Sequence, residues 1–137
     1  LASLDDIFTT QKNGVVAINA ISRWLNGISN KLVGTAFYQG ASTTAYATLY
    51  TCPVGEQAYL TEINVCNTAG TSTSFSISVV PFNGTAGASN ALFQGNVIAA
   101  NTSFQWKGSI LMSEGMTVQA LAGTVTCTFF VTGALVV

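Results

Sequence analysis

The sequence predicts a mainly β protein: an antiparallel β-sandwich or jelly-roll-like domain preceded by an N-terminal arm and one α-helix. Three observations predict it. From Thr35 onward, apolar and polar residues alternate with a period of two, the spacing of half-buried strands. Turn signals recur between these runs: Pro53-Val54-Gly55, Thr68-Ala69-Gly70, Asn83-Gly84, Gly95-Asn96, Glu114-Gly115 and Ala122-Gly123. Between residues 15 and 33 the apolar spacing is instead 3-4-3-4, the period of a helix.

Residues 1–13 carry Leu1, Leu4, Ile7 and Phe8 without a sustained period, which predicts an extended arm that docks apolar side chains on a neighbour. Asn13-Gly14 then punctuates the chain. Ile18, Ile21, Leu25, Ile28 and Leu32 follow as a two-heptad a/d seam. Isoleucine at these positions shifts preference from two strands toward three or more. Two heptads fall short of the three or four that define a coiled coil, and Gly27 costs the helix about 1 kcal/mol. A helix lying on its own β domain, or on another partner, therefore stands beside the self-associating one.

The later runs are strand-like. Tyr46, Thr48 and Tyr50 alternate with Ala47, Leu49 and Thr51, and Tyr59, Thr61, Ile63 and Val65 share one face. Phe75, Ile77 and Val79 alternate with Ser74, Ser76 and Ser78, predicting a hydroxyl-lined outer face. Further strands are expected at 91–94, 103–107, 110–112, 116–121, 124–131 and 134–137. Pro81 marks an edge or a strand end. The loop from Asn83 to Asn90 is small and polar, a flexible tip or a contact loop. Eight or so strands with no second helix give a sandwich or jelly roll over 35–137, with the arm and helix at 1–34 as an anchoring and oligomerising part.

Charge is scarce. Residues 1–34 hold Asp5, Asp6, Lys12, Arg23 and Lys31, whereas the rest of the chain holds only Glu56, Glu62, Lys107 and Glu114. Four scattered cations cannot neutralise a run of phosphates, so no nucleic-acid partner is expected. Five dispersed carboxylates do not make a calcium or magnesium cage. The longest apolar stretch, 15–38, is broken by Arg23, Lys31 and three asparagines, so no membrane span is expected. No basic segment leads into an apolar run, and the chain opens on Leu1 rather than Met, so further residues are expected ahead of it. Cys52, Cys66 and Cys127 form no CxxC pair and number three, which predicts buried free thiols rather than disulfides or zinc, as suits assembly in a reducing cytoplasm. Lys and Glu normally blunt exposed sheet edges, and their near absence predicts edges covered by neighbouring chains.

Catalysis, cofactors and metals are not expected. Histidine is absent, which removes Ser-His-Asp and Cys-His arrangements. Glu56 and Glu114 sit in turn sequences, and Glu62 lies mid-strand, free to face solvent or to pair with Lys107. Tyr38, Tyr46, Tyr50, Tyr59, Trp24 and Trp106 among Ser, Thr and Asn suggest a carbohydrate-reading face, against which stands the ordinary use of strand aromatics to fill a core. Asn83-Gly84-Thr85 and Asn101-Thr102-Ser103 match the glycosylation sequon, a tripeptide expected by chance in so Asn- and Thr-rich a chain.

The run Tyr50-Thr-Cys-Pro53-Val-Gly55-Glu-Gln-Ala-Tyr-Leu-Thr-Glu-Ile63-Asn-Val65-Cys-Asn67-Thr68 resembles a pattern of small virion proteins of tailed bacteriophages: strand, Pro-x-Gly, strand, then Asn-Thr and a polar turn. Phe75-Ser-Ile77-Ser-Val79-Val-Pro81, the Asn-Gly-Thr-Ala-Gly loop and Met112-Ser-Glu-Gly115-Met-Thr-Val118 continue the likeness, as does Phe8-Thr-Thr-Gln-Lys-Asn-Gly-Val-Val-Ala-Ile-Asn19. The resemblance covers most of the chain and rests on turn chemistry and alternation. It implies a virion structural protein assembled in the host cytoplasm, often a trimer, attached to the shell, neck or tail, with no catalytic residues. Combined with the seam, it predicts a homotrimeric capsid decoration (cement) or head-associated protein. Ile18, Ile21, Leu25, Ile28 and Leu32 would hold the trimer, and Leu4, Ile7 and Phe8 would anchor it to the major capsid protein. A neck, collar or tail-fibre subunit is the alternative, and a carbohydrate-binding adhesin module the next.

Overall fold

The structure is a computed structural model and describes residues 32–136. Leu4, Ile7, Phe8, Ile18, Ile21, Leu25 and Ile28 lie outside the described residues, as does Trp24. The described residues form eight strands: β1 (Leu32–Ala41), β2 (Ala47–Thr51), β3 (Gln57–Asn67), β4 (Thr73–Val80), β5 (Ala91–Ile98), β6 (Ser103–Met112), β7 (Thr117–Ala122) and β8 (Cys127–Val136). They make two antiparallel four-stranded sheets, ordered β1-β8-β3-β6 and β2-β7-β4-β5. The expected β-sandwich is therefore what the chain forms.

The pairing is nested. β1 pairs with β8, β2 with β7, β3 with β6 and β4 with β5. This is one long hairpin rolled into two sheets, the jelly-roll topology. Only the β4–β5 connection stays within a sheet; every other connection crosses between them. At the open side of the roll Leu32 lies opposite Val136, which lies opposite Gln57.

Alternation places the core. Leu60, Ile63 and Val65 of β3, Phe129 and Val131 of β8, Phe75 and Ile77 of β4 and Val118 of β7 are fully buried between the sheets. Each such side chain contributes about 1.5–3 kcal/mol relative to exposure. Aromatic pairs plug the two flanks where sheet edges meet. Phe37 of β1 stacks on Tyr50 of β2 with centroids 3.8 Å apart. On the opposite flank Phe93 of β5 packs edge-on against Phe104 and Trp106 of β6, at 5.0 and 6.4 Å. Gly133 is required by close approach, since a Cβ there would strike the Tyr59 carbonyl and the Phe37 ring.

Several local expectations need correction. Leu32 and Val33 belong to β1, not to a helix, because they continue the ladder opposite Val136 and Leu135. The strand β1 thus starts three residues before the expected boundary at Thr35. The runs 103–107 and 110–112 are one strand, β6, and 124–131 and 134–137 merge into β8. Gly108 and Gly133 interrupt the apolar alternation beside register shifts that do not end the strands, which is what the period alone misreads. Gly95-Asn96 is no turn between strands. It is an irregularity inside β5, where the Gly95 N–H donates to Ser76 Oγ at 2.8 Å. Nor is the outer face of β4 an open hydroxyl surface. Ser76 and Ser78 are buried, and Ser78 Oγ donates to the Gly87 carbonyl, which ties the β4–β5 connection down onto the strand.

Candidate functional site

The connections gather into two ends. At one, residues 42–46, 68–72, 99–102 and 123–126 meet. Here the polar groups satisfy one another. Fully buried Asn67 donates from Nδ2 to the carbonyls of Thr71, Ile98 and Ala99, and its Oδ1 accepts the Ala69 N–H at 3.1 Å. Ser42 Oγ donates to the Thr124 carbonyl at 2.7 Å and accepts the Cys127 N–H. Asn101, with φ of 53°, donates its N–H to the Ala69 carbonyl. Its left-handed turn conformation, like that of Asn83 at φ 58°, accounts for asparagine at both sequon positions.

The other end is built from residues 53–56, 81–90 and 113–116, beside the start of β1. Its turns present apolar side chains outward. Val54 is 88% exposed and Phe82 69% exposed. Val54, Phe82, Glu114 and Gly115 line a hollow of about 320 Å³. The hollow is held open by specific contacts. Glu114 Oε2 accepts the Gly55 N–H at 2.6 Å, and the Gly115 N–H donates to the Cys52 carbonyl at 3.0 Å. Gly115 has φ of 78°, and the Phe82 ring lies where its Cβ would stand. Any larger residue would displace that ring and be strained as well. Leu32 at 63% exposure, Val33 at 45% and Leu111 at 48% continue the apolar surface onto the adjoining strand ends.

The Cys52 thiol at this end is not activated. Burial pushes the Cys52 thiol up, and the neighbouring Glu56 and Glu114 push it further. It stays a neutral thiol against the Glu56 and Met112 carbonyls, the opposite of an activated nucleophile. Burial likewise raises Tyr50, with Cys52 and Glu56 adding to it. Cys127 is raised by burial and by Cys66, and all three cysteines are free.

The sequence-predicted residues fall in different places. Leu32 is exposed at the apolar end. Tyr38, Tyr50 and Trp106 point toward the flanks or the interior, whereas Tyr59 lies on the outer side of β3 between buried Ala58 and Leu60. The tyrosines do not share a face. Glu62 stands opposite Lys107 in the β3–β6 ladder, yet its carboxylate is bonded by Asn64 and Gln105. Val54 and Phe82 were not singled out by alternation. Their signal is local: an apolar residue enclosed by turn formers, Pro53-Val54-Gly55 and Pro81-Phe82-Asn83, has no sheet face to bury it.

No protein-family profile matches the chain, and no curated protein does. Solved structures do align with it. They include infectious bursal disease virus, Gx strain (13% identity, TM-score 0.47, 78% of this chain and 32% of that one). The virus's VP2 subviral particle aligns at 11% identity and TM-score 0.47, over 78% of this chain and 32% of that one. Derived T=1 particles align at 12% identity and TM-score 0.46, over 78% and 31%. The chain spans about a third of the length of the chains it aligns with.

Proposed function

We propose that this chain is a structural subunit of a virus particle, a trimeric decoration or head-associated protein of a tailed bacteriophage that attaches to the major capsid protein through its N-terminal region. One observation carries the reading. The four edge strands β1, β2, β5 and β6 contain a single charged residue, Lys107. Free edges of that length invite pairing with other chains unless charges, prolines or a covering element blunt them. Edges so bare fit a subunit whose flanks are covered in an assembly. The apolar end supports the same reading, because exposed turn apolars such as Val54 and Phe82 gain about 25 cal/mol per Å² when a neighbour buries them.

The reading is non-enzymatic. Glu114 holds a backbone N–H, Glu62 is held by two amides, and the chain has no histidine to act as a base. Sedimentation of the full chain at micromolar concentration tests the assembly. The expected species is a trimer, and Ile21→Asp with Ile28→Asp is expected to yield monomers with unchanged β circular dichroism. A wild-type monomer would overturn the proposal. Quantifying the protein in purified tail-less capsids separates a shell station, with many copies retained, from a neck or tail station, with none.

A further inference from the structure

The outer face of the β1-β8-β3-β6 sheet carries an arrangement that belongs neither to the core nor to the apolar end. One register row runs Gln39, Phe130, Asn64, Gln105, from β1 through β8 and β3 to β6. The next row places Glu62 beside Lys107. Phe130 is 36% exposed in the middle of this face, while Phe129 beside it is buried in the core. Glu62 Oε1 accepts from Asn64 Nδ2 at 2.9 Å and from Gln105 Nε2 at 2.7 Å. A carboxylate only accepts, so both amides must turn their nitrogens inward to it and their carbonyl oxygens away. Those two hydrogen bonds hold the Glu62 carboxyl below the usual carboxylate range, and Lys107 adds to the effect.

We infer that this row is a binding site for a neutral glycan, with the apolar face of one pyranose ring on Phe130 and its hydroxyls donating to Asn64 Oδ1, Gln105 Oε1 and Glu62 Oε2. None of these three oxygens has a hydrogen-bond partner among the described residues. Adjacent strands lie about 4.8 Å apart, so the acceptors on β3 stand about one sugar ring's width from the Phe130 platform on β8. The acceptors are fixed before a ligand arrives, which lowers the ordering cost of binding. The ligand must bring several neighbouring O–H donors and an apolar face, and carry no negative charge against Glu62. A neutral sugar has all three. A protein partner fits less well, because Phe130 is the sole large apolar residue in this row and its neighbours are amides and threonines. Tyr59, two rows along on the same face, offers a second ring for a longer oligosaccharide.

Saturation-transfer NMR of the full chain with maltohexaose, cellohexaose and laminarihexaose at about 10 mM tests the site. The expected result is transfer to ring protons of at least one probe, with affinity in the millimolar range. Phe130→Ala is expected to weaken it by roughly tenfold, the loss of one aromatic stack and part of its apolar contact. Glu62→Gln frees the amides to rotate and is expected to weaken it several-fold, a second readout should Phe130→Ala fold poorly. Phe82→Ala, at the apolar end, is expected to leave it unchanged. Absence of transfer from all three probes would overturn the proposal, as would transfer indifferent to both substitutions on the face. Dissociation of an oligomer by Phe130→Ala would also overturn it, making the row a contact between copies.

Discussion

The two ends of the sandwich are made from the same kinds of turn and have opposite surfaces. At the Asn67 end, buried and half-buried hydroxyls and amides close on neighbouring backbone groups: Ser42 on Thr124, Asn67 on three carbonyls, Thr124 Oγ1 on Thr126 Oγ1 at 2.7 Å. That end satisfies its own polar groups, and the large apolar side chain it exposes is Val125, in the 123–126 turn. At the Phe82 end the fewer cross-loop bonds, from Gly55 to Glu114 and from Gly115 to Cys52, hold a hollow rather than fill it. The difference teaches where folding and assembly divide the surface. Polar self-satisfaction marks a face the chain finishes itself. Exposed apolar residues gathered around a hollow mark the one that the proposed assembly would cover.

The sharpest way to break this contrast is Asn67→Ala. It strands the Thr71, Ile98 and Ala99 carbonyls and the Ala69 N–H, so a loss of about 3 kcal/mol is expected in urea unfolding. An effect below 1 kcal/mol would show that this end is not the keystone described. Glu114→Gln removes the charge from the bond to Gly55 and should cost about 1 kcal/mol, while also loosening the hollow. Val54→Ser with Phe82→Ser should change stability by no more than about 0.5 kcal/mol, since neither side chain is buried, yet reduce self-association or shell binding in sedimentation. Unchanged association would make the apolar end merely exposed.

Smaller effects sharpen the picture. The Glu62 carboxyl is lowered in the folded chain, so its contribution to stability is present above the ordinary carboxylate range and fades as pH falls through the folded value. Unfolding midpoints taken from neutral pH down to about pH 2.5 should show a drop that Glu62→Gln flattens. At pH 8, Cys52 and Cys127 should resist alkylation until the chain unfolds, because both are buried and raised, leaving the half-buried Cys66 as the site that reacts first. Rapid modification of Cys52 in the native protein would mean that the loops around Phe82 open.

The β class and most strands were legible because burial on one side of a sheet imposes a two-residue period, clear in Ile63-Asn-Val65, where Ile63 and Val65 are buried and Asn64 faces out. β1 was harder to read. Its sequence, Leu32-Val-Gly-Thr-Ala-Phe-Tyr-Gln-Gly-Ala41, has an irregularity between Ala36 and Tyr38 that breaks the alternation, and Leu32 happens to extend a helical spacing. Phe129-Phe130 shows the limit for sites. Alternation says that one ring faces in and one out, but not that Gln39, Asn64 and Gln105 would be its neighbours. Those come from registers set by residues up to ninety-one positions apart, from Gln39 to Phe130, which no local pattern contains. The apolar end was obscured for a related reason. Val54, Phe82 and Glu114 come from three separate turns, each unremarkable alone.

Because Leu32 and Val136 are ladder neighbours, the peptide enters and departs the roll side by side, separated by about 5 Å. A host protein could therefore accept the whole unit inside one of its surface turns with scarcely any splaying of the flanking residues, and a permuted version reopened at the polar turns would need only a short bridge there.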